Sequence, residues 1–164
     1  MKITKKIITL VISVMMVMSL VGCGNSNSDH ISVNLENKNK FDLTSVSETT
    51  DGTLENYYAV EENYNNLMSS LKDVYDEYNG IYSNIAFNVS GNCITYVYTY
   101  SMNINEESAK EGIMESLDGY EDSTWSVIRE ELVGESGVTD PITVVYQYKS
   151  VNGKVIAEYS KVIE

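Results

Sequence analysis

The spacing of apolar residues changes five times along this chain of 164 residues, and each change marks a boundary. Ile7 to Val21 is a largely apolar run behind a lysine-bearing start. Gly24 to Gly52 is polar, rich in Asn, Ser, Asp, Thr and Lys, and holds no sustained period. From Thr53 the spacing becomes three and four: Tyr57, Val60, Tyr64, Leu67, Leu71, Val74 and Tyr78 form one stripe of an amphipathic helix. Thr53 can cap its start, and Asn79-Gly80 supplies a left-handed stop. The period then drops to two. Ile81, Ile85, Phe87 and Val89 share one side of a strand. A turn at Gly91-Asn92 pairs Val89 with Ile94 and Phe87 with Tyr96, so Ile94, Tyr96, Tyr98, Tyr100 and Met102 extend the same face.

Helical spacing returns with Ala109, Ile113, Leu117, Tyr120, Val127, Ile128 and Leu132, behind an Asn105 cap that Ile104 and Ala109 can staple. Asp118-Gly119 interrupts this stripe, and a kink or break is predicted there because glycine costs about 1 kcal/mol in a helix interior. The last pair of strands, Ile142–Val151 and Lys154–Val162, flanks Asn152-Gly153, a strong hairpin signal. Pairing across it sets Tyr146 opposite Tyr159 and Tyr148 opposite Ala157. Val144, Tyr146 and Tyr148 then share a face with Val155, Ala157 and Tyr159. Thr143, Val145, Gln147 and Lys149 fall on the reverse with Ile156, Glu158 and Ser160. The pattern predicts an α+β domain over residues 53–164, in the order helix, hairpin, helix, hairpin. Its four-stranded, mainly antiparallel sheet carries two helices on one face, and its 112 residues are enough for one core. The order of strands between the hairpins is left open.

The N-terminal run ends in Leu20-Val21-Gly22-Cys23. Positive residues, an apolar segment and a small residue before cysteine read as a cleaved export signal over residues 1–22. The run is short of the roughly 20 apolar residues that span a bilayer. Its end resembles the lipobox of bacterial lipoproteins. That resemblance implies cleavage between Gly22 and Cys23 and a diacylglyceryl thioether on Cys23, followed by a tether over residues 23–52. Each buried methylene contributes about 0.8 kcal/mol, so two acyl chains hold a protein firmly where one does not. The implied location is the outer face of the cell membrane, with the lipid as anchor.

Charge narrows the partners. Loss of Met1–Gly22 removes three lysines and no acid, so the formal net charge of −13 becomes −16. Nucleic acid is excluded as a partner, since phosphate binding rests on clustered Lys and Arg. Of two cysteines, Cys23 is consumed by the lipid and Cys93 is left without an intrachain partner.

The run NCITYVYTY from Asn92 to Tyr100, the acidic helix start NEESAK from Asn105 to Lys110, and ITVVYQY from Ile142 to Tyr148 before Asn152-Gly153-Lys154 carry a family resemblance. Between Leu54 and Val162 the chain is similar to family 4854 of the domains of unknown function, found in Gram-positive Firmicutes, usually behind a lipobox. The resemblance implies an exported, lipid-anchored α+β domain and brings no activity, cofactor or catalytic residue with it.

Candidate chemistry is sparse. The single histidine, His30, precedes the folded domain, which rules out Ser-His-Asp, Cys-His and His-zinc chemistry within it. Carboxylates at Glu61-Glu62, Asp76-Glu77 and Glu130-Glu131 fall on solvent sides of helices. Asp118, Glu121 and Asp122 lack the spacing of a calcium loop. No metal and no cofactor is expected. All 13 tyrosines lie in the domain; Tyr96, Tyr98, Tyr100, Tyr146, Tyr148 and Tyr159 share the packed face, either as core or as an aromatic groove, with Trp125 on its rim or packed. The reverse face, with Thr95, Val97, Thr99, Thr143, Val145 and Gln147, is polar and little charged, and is the candidate interaction surface. The reading is a non-enzymatic binding or interaction module of the cell envelope, engaging an envelope protein or glycan. The alternative is a carboxylate-dependent envelope enzyme acting on glycans.

Overall fold

The computed structural model describes residues 52–164 except 79 and 135. The expected export signal, the expected Gly22–Cys23 cleavage and lipidation site, the expected tether as far as residue 51, and His30 lie outside the described residues, as does Asn79 of the expected helix stop.

Eight elements follow one another: α1 (Leu54–Ala59), α2 (Glu61–Glu77), β1 (Tyr82–Ser90), β2 (Cys93–Tyr100), α3 (Glu106–Asp118), α4 (Asp122–Val133), β3 (Ile142–Lys149) and β4 (Val155–Ile163). Each stretch of helical spacing thus yields two helices, making four rather than two. Thr53 caps α1, its side chain accepting from the Asn56 amide. At Val60 the backbone turns extended (φ −70°, ψ 123°), and the Asn63 side-chain amide donates to the carbonyl of Tyr57 at 2.9 Å. This interruption shifts the helical phase. Leu54 and Tyr58 face the core in α1, with Tyr64, Leu67, Leu71 and Val74 in α2, while Val60, placed in the stripe by spacing, is exposed. In α3, Asn105 accepts from the Ser108 amide at 3.1 Å. The chain breaks at Gly119–Glu121, as the interruption of the stripe predicts. Helix α4 then buries Trp125, Ile128 and Leu132, whereas Val127 faces out.

The sheet runs β1-β2-β3-β4, with β1–β2 and β3–β4 antiparallel and the central β2–β3 pair parallel. It is therefore mixed, and the expectation of a mainly antiparallel sheet is corrected. The connection from β2 to β3 contains α3 and α4, long enough to cross back over the sheet and start β3 beside the start of β2. Hairpin registers otherwise follow the pattern: Phe87 pairs with Tyr96, Tyr146 with Tyr159, and Tyr148 with Ala157.

Irregularities on both edge strands explain the remaining departures. The register of β1 shifts between Tyr82 and Asn84, which buries Tyr82 and leaves Ile81 exposed. In the second hairpin Ser150 pairs with Lys154, and Gly153, at φ +79°, donates to the carbonyl of Ser150 at 2.8 Å. The turn therefore holds one residue more than the Asn152-Gly153 signal implies. A bulge at the start of β4 absorbs the difference, so Ile156 and Ala157 both lie inside while Val155 is turned out. Val155 and Ile156 thus exchange the faces that strict alternation assigns them. Met102 is also exposed, because β2 ends at Tyr100.

The core lies between one sheet face and the helices. Tyr58 and Tyr64 pack on Phe87, and Trp125 packs on Tyr146 and Tyr159, placing both helical pairs over the same face.

Candidate functional site

Strict alternation along β2 and β3 sends every second side chain away from the helices. Thr95, Val97 and Thr99 on β2, with Thr143, Val145 and Gln147 on β3, occupy that face and are all half-buried. The parallel register sets Thr95 beside Val145 and Val97 beside Gln147, so the six residues form one contiguous patch. Ala86 and Asn88 extend it across β1, and Ser160 and Val162 across β4, where Val162 is 59% exposed. The only charges that the strand register places on this face are Lys149 and Glu158. Gln147 donates to Glu158 at 2.7 Å. Residues 1–51 carry equal numbers of acids and lysines, so the whole formal charge of −13 resides in 52–164. A face with one charge of each sign is therefore neutral ground on a strongly acidic body.

Cys93 opens β2 on this same face, half-buried and outside any disulfide. Alternation from Thr95 would have placed it there. The adjoining turn fixes where the chain joins the domain: the Leu54 amide donates to Asn92 Oδ1 at 3.0 Å, and the Glu55 amide to the carbonyl of Gly91 at 2.9 Å. Residues 1–51 thus attach at the end of the sheet where Cys93 sits.

The opposite face is sealed. Tyr96, Tyr98, Tyr100, Tyr146 and Tyr148 are buried, and Tyr159 is partly so; the tyrosine row is core and not a groove. Parallel pairing stacks like on like, Tyr96 on Tyr146 at 5.7 Å and Tyr98 on Tyr148 at 5.0 Å between ring centroids. Trp125, only 2% exposed, stacks on Tyr159 and is likewise packed. Burial pushes the Tyr96, Tyr98 and Tyr148 hydroxyls well above the usual phenol range, and lifts Tyr100 and Tyr120 up to about 12. The Tyr146 and Tyr148 hydroxyls are enclosed without a hydrogen-bond partner among the described residues.

Two further places hold charged side chains. Asp118, Glu121 and Asp122 flank the α3–α4 break, and among the described residues no three Asp, Glu, Cys or His converge as metal ligands. Asp122 faces Lys161 at 3.9 Å. A shallow depression of about 400 Å³ is lined by Arg129, Glu130, Val138 and Glu164. Arg129 donates there to the carbonyls of Thr139 (3.1 Å) and Asp140 (3.2 Å), tying α4 to the segment that leads into β3. Spacing along the sequence gives no hint of this tie, because it joins a helix to a loop.

Among the described residues no helix is long and apolar enough to cross a membrane. No curated protein and no solved structure matches the chain. Residues 54–160, nearly the whole described domain, match a family described as Domain of unknown function (DUF4854), and the chain belongs to that family.

Proposed function

We propose that this protein is an exported lipoprotein, held on the outer face of the cell membrane by a lipid on Cys23, whose folded domain is a non-enzymatic interaction module. The observation that carries the reading is the face of the β2–β3 pair that no helix among the described residues covers. Parallel strands are ordinarily covered on both faces, because the crossover connections that create them place helices there. Here every helix–sheet aromatic contact among the described residues is on the tyrosine face, and the reverse presents Thr95, Val97, Thr99, Thr143, Val145 and Gln147. Threonine hydroxyls and valine methyls at the centre of a face with balanced charge can be covered without burying a charge. The edges are less suited to pairing. Both edge strands carry register shifts, and β4 points Lys161 inward.

Two measurements test this reading. Mass spectrometry of the protein from its own membranes should find residues 1–22 removed and Cys23 acylated; an intact N-terminus with an unmodified Cys23 overturns the location. A photo-crosslinking residue at Val97 or Val145 should give adducts in those membranes, while one at exposed Glu111 on α3 should not. Equal labelling at the three positions, or none, overturns the face as an interaction surface.

A further inference from the structure

We infer that the open face is the interface with a second copy of this chain, packed sheet to sheet about a two-fold axis running along the strands; this rests on the interaction-module reading above. Three observations select that occupant. The first is charge. The domain holds the entire formal charge of −13, so two copies repel each other over most of their surface. The open face, with Lys149 balanced by Glu158, is where they can meet without that penalty. A basic partner would be drawn instead to the acidic helices.

The second is geometry. Residues 1–51 join the domain at the Gly91-Asn92 end of the sheet. A two-fold axis parallel to the strands turns the open faces toward each other and keeps both Gly52 positions at one end. Two copies anchored in one membrane need that arrangement. An axis across the strands would send one attachment point away from the bilayer.

The third is size. Four strands spaced about 4.8 Å apart and eight residues long present a face of roughly 19 by 26 Å. That is roughly 500 Å² per copy and about 1,000 Å² in total, at the lower bound for a specific protein interface. Such a dimer is weak in dilute solution, and confinement to one membrane raises the effective concentration that forms it. Val97 and Val145 lie at its centre, with Thr95, Thr99 and Thr143 around them.

Cys93 supplies the test. Its position on β2 puts the two Cys93 Cα atoms at the same level, about 11 Å apart for sheets about 10 Å apart. That is too far for a disulfide and within reach of a short bismaleimide. Full-length protein in its native membranes, treated with that reagent, should give an adduct of twice the chain mass joined Cys93 to Cys93, absent from Cys93→Ser. Val97→Lys places charge in the interface and should lower the adduct at least tenfold. Val127→Lys, on the exposed side of α4, should leave it unchanged; circular dichroism checks that both variants fold. An adduct joining Cys93 to a different protein overturns self-association while sparing the interaction module. A link from Cys93 to Cys23 of the same chain needs a Cys23 thiol free of lipid; it shows the face covered by its own N-terminal segment and overturns both the lipid anchor and the inference. Singly labelled Cys93 alone, or an adduct that Val97→Lys leaves intact, also overturns the inference.

Discussion

At the scale of single residues, this core is defined by phenol rings and their hydroxyls. Tyrosine brings a large apolar ring into the interior together with an oxygen that needs a partner. Tyr148 is fully enclosed, and its hydroxyl has no partner among the described residues. An unsatisfied buried hydroxyl costs about 1–3 kcal/mol, so Tyr148→Phe should stabilise the fold by about 1 kcal/mol, read as a higher denaturation midpoint in urea. Loss of stability in that variant would mean the oxygen is bonded. Phe87 gives the opposite result. It is fully buried beneath Tyr58 and Tyr64, and Phe87→Ala should cost about 3–5 kcal/mol by opening a cavity where α1 and α2 meet the sheet. Both positions are inward-facing by simple alternation. The partner state of a hydroxyl, however, depends on atoms from distant segments.

At the scale of elements, stability turns on short junctions. Val60 occupies the N-cap of α2 with extended backbone and offers no side-chain acceptor. Val60→Ser should cap that helix and raise stability by about 1 kcal/mol, measured from equilibrium unfolding. No gain would show that other groups already satisfy the amides of the first turn. In the second hairpin Gly153 sits at φ +79° with open space around its Cα, so a methyl group meets no clash and pays only for the backbone conformation. Gly153→Ala should cost about 1 kcal/mol and leave the overall fold unchanged by circular dichroism. The extra turn residue and the β4 bulge compensate one another. Tyr146 and Tyr159 are therefore paired as a plain two-residue turn would pair them, although the turn is longer.

At the scale of the whole molecule, the buried tyrosines make the domain sensitive to alkali. An unfolded tyrosine ionises near pH 10, whereas burial holds Tyr96, Tyr98, Tyr146 and Tyr148 neutral well beyond that. A folded-state pKa raised above the unfolded one stabilises fully below pH 10, and that stability is lost as pH climbs toward the folded values. The melting temperature should be insensitive to these groups up to about pH 9 and fall steeply above pH 10, with tyrosinate absorbance of the buried rings appearing together with unfolding. Gradual ionisation without unfolding would show the rings open to water. Much of this molecule is decided by short-range rules. Apolar spacing, the Thr53 and Asn105 caps, the Asp118-Gly119 break and most hairpin pairings each involve residues a few positions apart, and the sequence by itself determined them. So too the membership of Thr95, Val97, Thr99, Thr143, Val145 and Gln147 in one face of their strands, since alternation assigns it. The tertiary structure alone decided that β2 lies parallel to β3, which joins the two groups of three into one patch. It alone placed the edge bulges that exchange Val155 with Ile156 and Ile81 with Tyr82. Those outcomes depend on how helices α3 and α4 carry the chain back across the sheet and on how separate segments fill the core together, and no local period encodes a contact between residues fifty positions apart.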